Sequence, residues 1–204
     1  MGYAAVTTFV RAALPAPPAR VLEIGAGTGE LAAVLTDAGY DVVAIDPAGQ
    51  SPAVRAVSLH ELDEPAASFD AAVAVVSLHH VEPLAESFGR LAELVRPGGL
   101  LIVDEIDFER FDERAAAWLI EHRGAAGHET HSHPQALVAD LRGHLHSLVR
   151  IREALAEWFE IGEPVRGAYL YRWELPPGLR APEEELIAAG RLPATGARFL
   201  GKRR

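Results

Sequence analysis

The sequence of 204 residues contains no cysteine. Disulfide bonds, thiolate nucleophiles and cysteine-based zinc sites are therefore excluded, because each requires that side chain. Long apolar runs are also missing, since no stretch approaches the roughly 18 residues needed to cross a bilayer. With 49% hydrophobic and 24% charged residues, the composition is that of a compact soluble protein.

Positive charge is scarce, because 19 Lys and Arg residues against 29 Asp and Glu residues give a net charge of −10. Such a surface repels phosphate backbones, so we expect no nucleic-acid partner. The one dense basic cluster, at 201–204, predicts a solvated tail. The amino end lacks the basic and apolar segments of a secretory signal, and Val6 replaces the Ser or Thr of a myristoylation signal. We therefore expect a cytoplasmic protein without membrane attachment.

Strands and helices alternate over the first half of the chain. An amphipathic helix is predicted at 3–14, and further helices after a glycine turn at 25–29 and at 83–95. Only residues 47–53 separate the second strand from the third, so the usual crossover helix is reduced to a turn or missing. The alternation predicts an α/β fold with a parallel sheet and helices on both faces. The predicted strands are 20–24, 42–45, 54–59, 71–76 and 100–105.

The second half of the chain has a different pattern. Ser147 is a predicted helix N-cap, and a polar loop containing histidines is predicted at 124–133. We predict one domain at 1–175 with a helical insert at about 106–146, followed by a C-terminal arm at 176–204. Helices are predicted at 108–123, 134–146, 148–157 and 182–189, and a pair of strands at 159–165 and 168–175.

The glycine turn is Gly25-Ala26-Gly27-Thr28-Gly29. Glycines allow positive φ and let a ligand approach the bare backbone. The dinucleotide fingerprint G-x-G-x-x-G requires glycine at position 30, which is Glu30, and that carboxylate repels a pyrophosphate. An NAD-type oxidoreductase is therefore the less favoured enzyme. Asp46 ends the second strand about 20 residues beyond the turn, where an acid can bind ribose hydroxyls.

These features resemble the class I S-adenosylmethionine-dependent methyltransferases over residues 20–105. The resemblance implies a Rossmann-like, seven-stranded, mostly parallel sheet with an antiparallel strand pair at its C-terminal end, here residues 159–175. It also implies methyl transfer from S-adenosylmethionine to an acceptor, and the acidic surface and modest insert favour a small molecule. The matching blocks are Glu23 with the glycine loop, Asp46, Phe69-Asp70 before an apolar strand, Leu78-His79-His80-Val81 after it, and Pro97-Gly98-Gly99.

The resemblance also assigns the cofactor-binding residues. Glu23 is expected to face the ammonium group of the cofactor, and Asp46 its ribose. Ser58 and Leu59 fall where the family often has Asp-Ala against adenine, so Ser58 is a weaker substitute and the short 47–53 segment leaves this side open. A second copy of the chain, in a homodimer, is the candidate that covers it. The assigned set is Glu23, Gly25, Ala26, Gly27, Asp46, Pro47, Ser58, Leu59 and Val76.

Methyl transfer requires alignment of the acceptor and, for a hydroxyl or a carbon acid, removal of a proton. His79 follows the strand at 71–76, at the edge where open α/β folds bind ligands, and is the candidate general base. His80 is expected to tie its loop to a neighbouring strand. The acceptor-side candidates are Tyr3, Trp118, His122, His128 and His131, for which core packing and a solvated loop stay open as alternatives.

Two alternatives concern the insert and the activity. Histidines at 122, 128, 131 and 133 match no zinc template, so no metal is predicted. Ser58 and the missing crossover helix favour, as the alternative function, a methyltransferase-fold binding or scaffold protein that has lost catalysis.

Overall fold

The computed structural model describes residues 2–127, 133–173 and 175–204. The strands are β1 (Arg20–Ile24), β2 (Asp41–Ile45), β3 (Phe69–Val75), β4 (Val95–Ile106), β5 (Phe159–Ile161), β6 (Val165–Gly167) and β7 (Gly196–Arg203). The helices are α1 (Gly2–Ala13), α2 (Glu30–Asp37), α3 (Leu84–Leu94), α4 (Glu113–Ala125), α5 (Pro134–His144), α6 (Leu148–Ala156) and α7 (Arg180–Ala188). In the described part of the chain, no helix has the length and apolar character to cross a membrane.

A seven-stranded mixed sheet forms the centre of the molecule. Its order is β2-β1-β3-β4-β7-β5, with β6 also paired to β7. The first four strands in that order are parallel, and β7 runs antiparallel to β4, β5 and β6. The predicted Rossmann-like sheet with antiparallel strands at its C-terminal end is confirmed.

Both faces of the sheet are covered by helices. On one face, α3 and α6 pack against β1, β3 and β4, and on the other face α1 and α2 pack against the same strands. A third cluster joins α4, α5 and α7. Representative residues of these three clusters are Phe88 and Ile151, then Val10 and Leu35, then Trp118 and Leu137.

The prediction of a strand at 54–59 is wrong. Arg55 makes one isolated parallel bridge to Ile45, and a single helical turn follows at Leu59–Glu61. The short connection allows only this contact, in which Arg55 donates its N–H to Ala44 O at 2.9 Å and accepts from Asp46 N at 3.1 Å. The sheet therefore has β2 at this edge.

The strand pair predicted at 159–165 and 168–175 also differs from the structure. Both β5 and β6 pair with the same edge of β7. Ile161 pairs with Gly201 and Val165 pairs with Arg198, so the chain from β5 to β6 is one residue longer than the part of β7 that it faces, which makes a bulge. Residues 170–172 form a helical turn instead of a strand. The cause is the buried carboxylate of Glu183, which accepts hydrogen bonds from three consecutive backbone N–H groups, those of residues 169–171, at 2.8 to 2.9 Å.

The segment predicted to be a C-terminal arm contributes directly to the sheet. Residues 176–204 include α7 and β7, and β7 lies between β4 and β5. Phe199 and Ala197 of β7 join the same core cluster as α3 and α6. The boundary at residue 175 therefore falls inside one structural unit, because the last strand buries its apolar face in the common core.

We expect Phe199→Ala to lower the free energy of unfolding by about 3–5 kcal/mol, because it leaves a cavity in this core. Phe199 is 2% exposed, whereas the neighbouring Leu200, on the other face of β7, is 41% exposed. The matched change Leu200→Ala is expected to cost about 0.5 kcal/mol. Urea unfolding followed by circular dichroism measures both values, and equal losses would contradict the placement of β7 in the core.

Candidate functional site

The glycine turn between β1 and α2 is held close to two neighbouring strands. The N–H groups of Gly25 and Ala26 both donate to Ile45 O at 2.9 Å. Gly25 has φ +71°, and a Cβ at this position would lie 2.3 Å from Ser77 Cβ. Gly27 has φ +54°, and a Cβ there would meet nothing within 4 Å. The turn is thus sterically closed at Gly25 and open at Gly27, on the side from which a ligand can approach the backbone.

Asp46 follows β2 and organises the loops at the ends of two strands. One carboxylate oxygen, Oδ2, accepts from Gly27 N at 2.9 Å, and Oδ1 accepts from Ala48 N at 2.9 Å. The side chain is half-buried. Each carboxylate oxygen has a second lone pair, so Asp46 can accept a further hydrogen bond from a hydroxyl group while it holds the loop.

A cleft of about 500 Å³ lies beside Asp46 at the carboxyl ends of β1, β2 and β3. Its volume suits a small-molecule ligand. Ala48, Val57 and Ser77 are among the lining residues that sequence reasoning missed. Six residues of the predicted cofactor set line the cleft: Gly25, Asp46, Pro47, Ser58, Leu59 and Val76.

Three residues of the predicted set lie outside the described lining of this cleft, namely Glu23, Ala26 and Gly27. The buried carboxylate of Glu23 accepts from the N–H of Ala32, in the first turn of α2, where Gly29 supplies no side-chain cap. Its Oε2 has no hydrogen-bond partner among the described residues. Burial raises the pKa of Glu23 from its ordinary value of 4.5 to about 7. Glu23 thus caps α2 behind the glycine turn.

Ser58 is already engaged within its own loop. Its hydroxyl donates to the carboxylate of Glu61, which lowers the pKa of Glu61. This contact leaves the hydroxyl oxygen free to accept, whereas the proton that would bind an adenine nitrogen is in use.

A second cleft, of about 550 Å³, adjoins the first and shares Val76 and His80 with it. Val76 has φ +53°, a left-handed conformation that is strained for a β-branched side chain. The strained turn therefore lies at the boundary between the two clefts. The walls of the second cleft are mostly apolar, formed by Val76, Ile106, Phe108, Leu141, Leu145, Tyr169 and Trp173, with the polar side chains of His79, His80, Asp140 and His144.

His79 reaches the second cleft from the turn after β3 and is held by Glu105 at the end of β4. Its Nδ1 donates to Oε1 of Glu105 at 2.7 Å, and the side chains are 5% and 0% exposed. Glu105 also accepts from the N–H groups of Leu78 at 3.0 Å and Ile106 at 2.9 Å. With Nδ1 engaged, Nε2 is the nitrogen of His79 that is available to a ligand.

Sequence reasoning missed Glu105, although one signal was present. An acidic residue at the end of a buried strand needs a partner, and in a parallel sheet that partner lies in the loop after the neighbouring strand. His80 does not tie its loop to a strand as predicted, because its side chain is exposed and its ring lies 4.2 Å from that of His79. The loop is tied to the neighbouring strand β4 by Glu105, which binds Leu78 N and His79 Nδ1. His146, between α5 and α6, donates its backbone N–H to His79 O at 3.1 Å. Partial desolvation and the neighbouring His79 lower the pKa of His80.

Two of the predicted acceptor-side residues, Trp118 and His122, lie away from both clefts. Trp118 is buried among α4, α5 and α7, and the ring of His122 lies 4.2 Å from that of Trp118. Neither is among the described residues that line the two clefts. The backbone of Tyr3 belongs to α1, but its side chain lies outside the described part of the structure, as do His128 and His131.

The model of a protein family described as methyltransferase domain matches residues 3–160 of the chain. The chain belongs to this methyltransferase family. Membership confirms the predicted resemblance, the enzyme class and S-adenosylmethionine as the cofactor. A search of curated protein sequences finds no match to this methyltransferase.

Solved structures share the fold of this methyltransferase. An S-adenosylmethionine-dependent methyltransferase from Mesorhizobium loti is similar with a TM-score of 0.63 and 20% identity over 95% of each chain. The 1,6-didemethyltoxoflavin-N1-methyltransferase of Burkholderia thailandensis, solved with its named substrate and S-adenosylhomocysteine, has a TM-score of 0.52 and 19% identity over 91% of this chain and 71% of that one. The [4+2]-cyclase SpnF has a TM-score of 0.60 and 19% identity over 98% and 80% of the two chains. At these identities the comparisons show a shared fold.

We expect the buried Glu23 to make stability depend on pH. Its pKa is about 7 in the folded protein, whereas its ordinary value is 4.5. The folded state therefore binds the proton more tightly than the unfolded state does, and ionisation of Glu23 opposes folding. The free energy of unfolding should therefore fall as pH rises from 4.5 to 7, by up to about 3 kcal/mol at about 1.4 kcal/mol per pH unit. Glu23→Gln should remove this loss.

Urea unfolding at pH 5 and pH 8 measures the effect on the cofactor-free protein. Glu30→Gln is the matched control, since Glu30 is an exposed carboxylate at the start of α2. The control should follow the wild-type pH dependence. If the free energies of unfolding of Glu23→Gln and the wild type differ by the same amount at both pH values, the buried carboxylate does not titrate as described.

Proposed function

We propose that this methyltransferase holds S-adenosylmethionine in the first cleft and transfers the methyl group to a small molecule in the second. The observation that carries the proposal is the shared boundary of the two clefts at Val76 and His80. A ligand in each cleft would meet the other at that boundary. Such contact is what a direct transfer between two bound molecules requires.

The first cleft suits this cofactor in its polar and apolar parts. Asp46 retains lone pairs for ribose hydroxyls, and the backbone at Gly27 is open to the aminoacyl part. Pro47, Val57 and Leu59 give apolar contacts for a base. The cofactor supplies an electrophilic methyl carbon on a sulfonium. The first cleft offers carboxylates and bare backbone, and no Lys or Arg is among the described residues that line it.

The second cleft favours an acceptor that is small and largely apolar. Phe108, Tyr169 and Trp173 provide aromatic surface against which a flat molecule can pack. His79 provides a buried polar side chain in the lining, next to the boundary residue His80 in the chain. An acceptor with an aromatic body and a hydroxyl or amine group satisfies both features.

In the proposed reaction, the acceptor heteroatom forms the new bond to the methyl carbon as the carbon–sulfur bond breaks. His79 Nε2 accepts the proton that the acceptor loses. Glu105 holds Nδ1–H at 2.7 Å, so it fixes the orientation of the ring and stabilises the imidazolium that forms. His79 is thus the proposed base and Glu105 its positioning residue.

The alternative is a protein of this fold that binds ligands without methyl transfer. It is favoured by the single bridge that replaces the third strand, which leaves the Ser58 side of the cleft with little cover. Cofactor binding with no turnover across a broad acceptor panel would support it. The homodimer that would cover this side and the cytoplasmic location stay predictions from the sequence, as does the expectation of no nucleic-acid partner.

We expect Asp46→Ala to weaken binding of S-adenosylmethionine by about 10–100-fold, because it removes charge-assisted hydrogen bonds. Isothermal titration calorimetry measures the affinity, and circular dichroism checks that the variant is folded. Asp63→Ala is the control, since Asp63 is an exposed acid that does not line the cleft among the described residues. Unchanged affinity in folded Asp46→Ala would remove Asp46 from the cofactor site.

We expect His79→Ala to lower kcat by about 10²-fold or more, because the acceptor proton loses its base. Cofactor affinity should stay at the wild-type value, since His79 lines the second cleft and not the first. The assay is release of S-adenosylhomocysteine with a panel of small phenols, amines and carboxylates. Glu105→Gln should also lower kcat.

The control for the base is His133→Ala, because His133 is exposed at the start of α5. Its kcat should equal that of the wild type. Full activity of His79→Ala with every acceptor that the wild type methylates would leave alignment of the two ligands as the whole mechanism.

A further inference from the structure

A third cavity, separate from the two clefts, concentrates positive charge in this acidic protein. It has a volume of about 120 Å³ and lies between β4, β6, β7 and the start of α7. It shares no described lining residue with either cleft. Its charged lining residues are Arg166, Arg172, Arg180 and Arg198, with the carboxylates Asp104 and Glu184.

The charges around this arginine cavity do not balance. Asp104 is 2% exposed and is shared by two guanidinium groups, since Arg172 Nη1 donates to Oδ1 and Arg198 Nε donates to Oδ2 at 2.6 Å. One carboxylate cannot neutralise both. The side chain of Arg172 is only 13% exposed, so the excess positive charge is poorly solvated, which is costly without a further anion.

The other two arginines of the cavity have their own partners. Arg166 pairs with the buried Asp107, and Arg180 pairs with Glu184 at 2.8 Å. The four arginines therefore face three carboxylates, which leaves one net positive charge at the cavity. Tyr171 also lines the cavity.

The residue type and the space both suit an oxyanion. A guanidinium has five N–H donors in a planar fork, and the bonds to Asp104 use one donor of Arg172 and one of Arg198. That fork matches the paired oxygens of phosphate and sulfate. The volume of 120 Å³ is well above the ~15 Å³ that a single water molecule requires.

We propose that the arginine cavity is a binding site for a tetrahedral oxyanion, either free inorganic phosphate or the phosphate group of a small ester. Asp104 and Glu105 are consecutive residues of β4, so the cavity and the Glu105–His79 pair lie on opposite faces of the strand. Tyr169 lines the second cleft while the guanidinium of Arg172 lies 4.9 Å from its ring centroid. Anion binding is independent of methyl transfer and needs neither cofactor nor acceptor.

The test is calorimetric titration of the full chain with inorganic phosphate, in a chloride buffer of matched ionic strength. We expect saturable binding of one phosphate per chain. Arg198→Gln should weaken it by at least about tenfold, because Asp104 is then paired one to one with Arg172 and the excess charge is gone. Arg150→Gln is the matched control, since it removes the same charge from the exposed surface of α6.

A second variant keeps the test decisive if Arg198→Gln does not fold. Arg180 pairs with an exposed carboxylate of the same helix, so Arg180→Gln leaves no buried charge unpaired and should weaken phosphate binding severalfold. Absence of phosphate binding by the wild type, or wild-type affinity in a folded cavity variant, would overturn the proposal. Titration with glycerol phosphate then distinguishes inorganic phosphate from a phosphate ester as the ligand. A site for an ester binds glycerol phosphate at least as tightly as it binds inorganic phosphate.

Discussion

The close approach of Gly25 to Ser77 is the contact on which both clefts depend. Ser77 Oγ donates to Ile24 O at 2.7 Å, and a Cβ on residue 25 would collide with its side chain. This contact joins the loop after β1 to the loop after β3. Ser77 is flanked by the left-handed turn at Val76 and by Leu78, whose N–H donates to Glu105. The position of His79 follows from this chain of contacts.

Buried carboxylates are satisfied in different ways, and this difference separates their roles. Glu105 accepts from two backbone N–H groups and one imidazole, which makes it a rigid support. Glu183 accepts from three backbone N–H groups and fixes a turn, although burial still raises its pKa. Asp104 forms ion pairs with two arginine side chains. Glu23 has the least hydrogen-bond support of the four, and burial raises its pKa to about 7.

The sequence predicted the parallel half of the fold well, because its signals are local. The glycine turn, Asp46 and the apolar strands each follow from residues a few positions apart. The prediction failed where distant residues decide the structure. The alternating aromatic residues at 169–173 suggest a strand, but Glu183, far along the chain from Tyr169, turns them into a helical turn. The Glu105–His79 pair and the arginine cavity likewise depend on strand order, which no local pattern contains.

The antiparallel pairing of β4 with β7 also determines when the molecule can fold. Ile106 pairs with Gly196 and Leu100 with Lys202, so the ends of the pairing lie far apart in sequence. Contacts of such long range form slowly, because a large loop must close before they are gained. During synthesis this edge of β4 stays unpaired until β7 has been made. A chain interrupted before β7 therefore carries an open edge on β4 that is prone to aggregation.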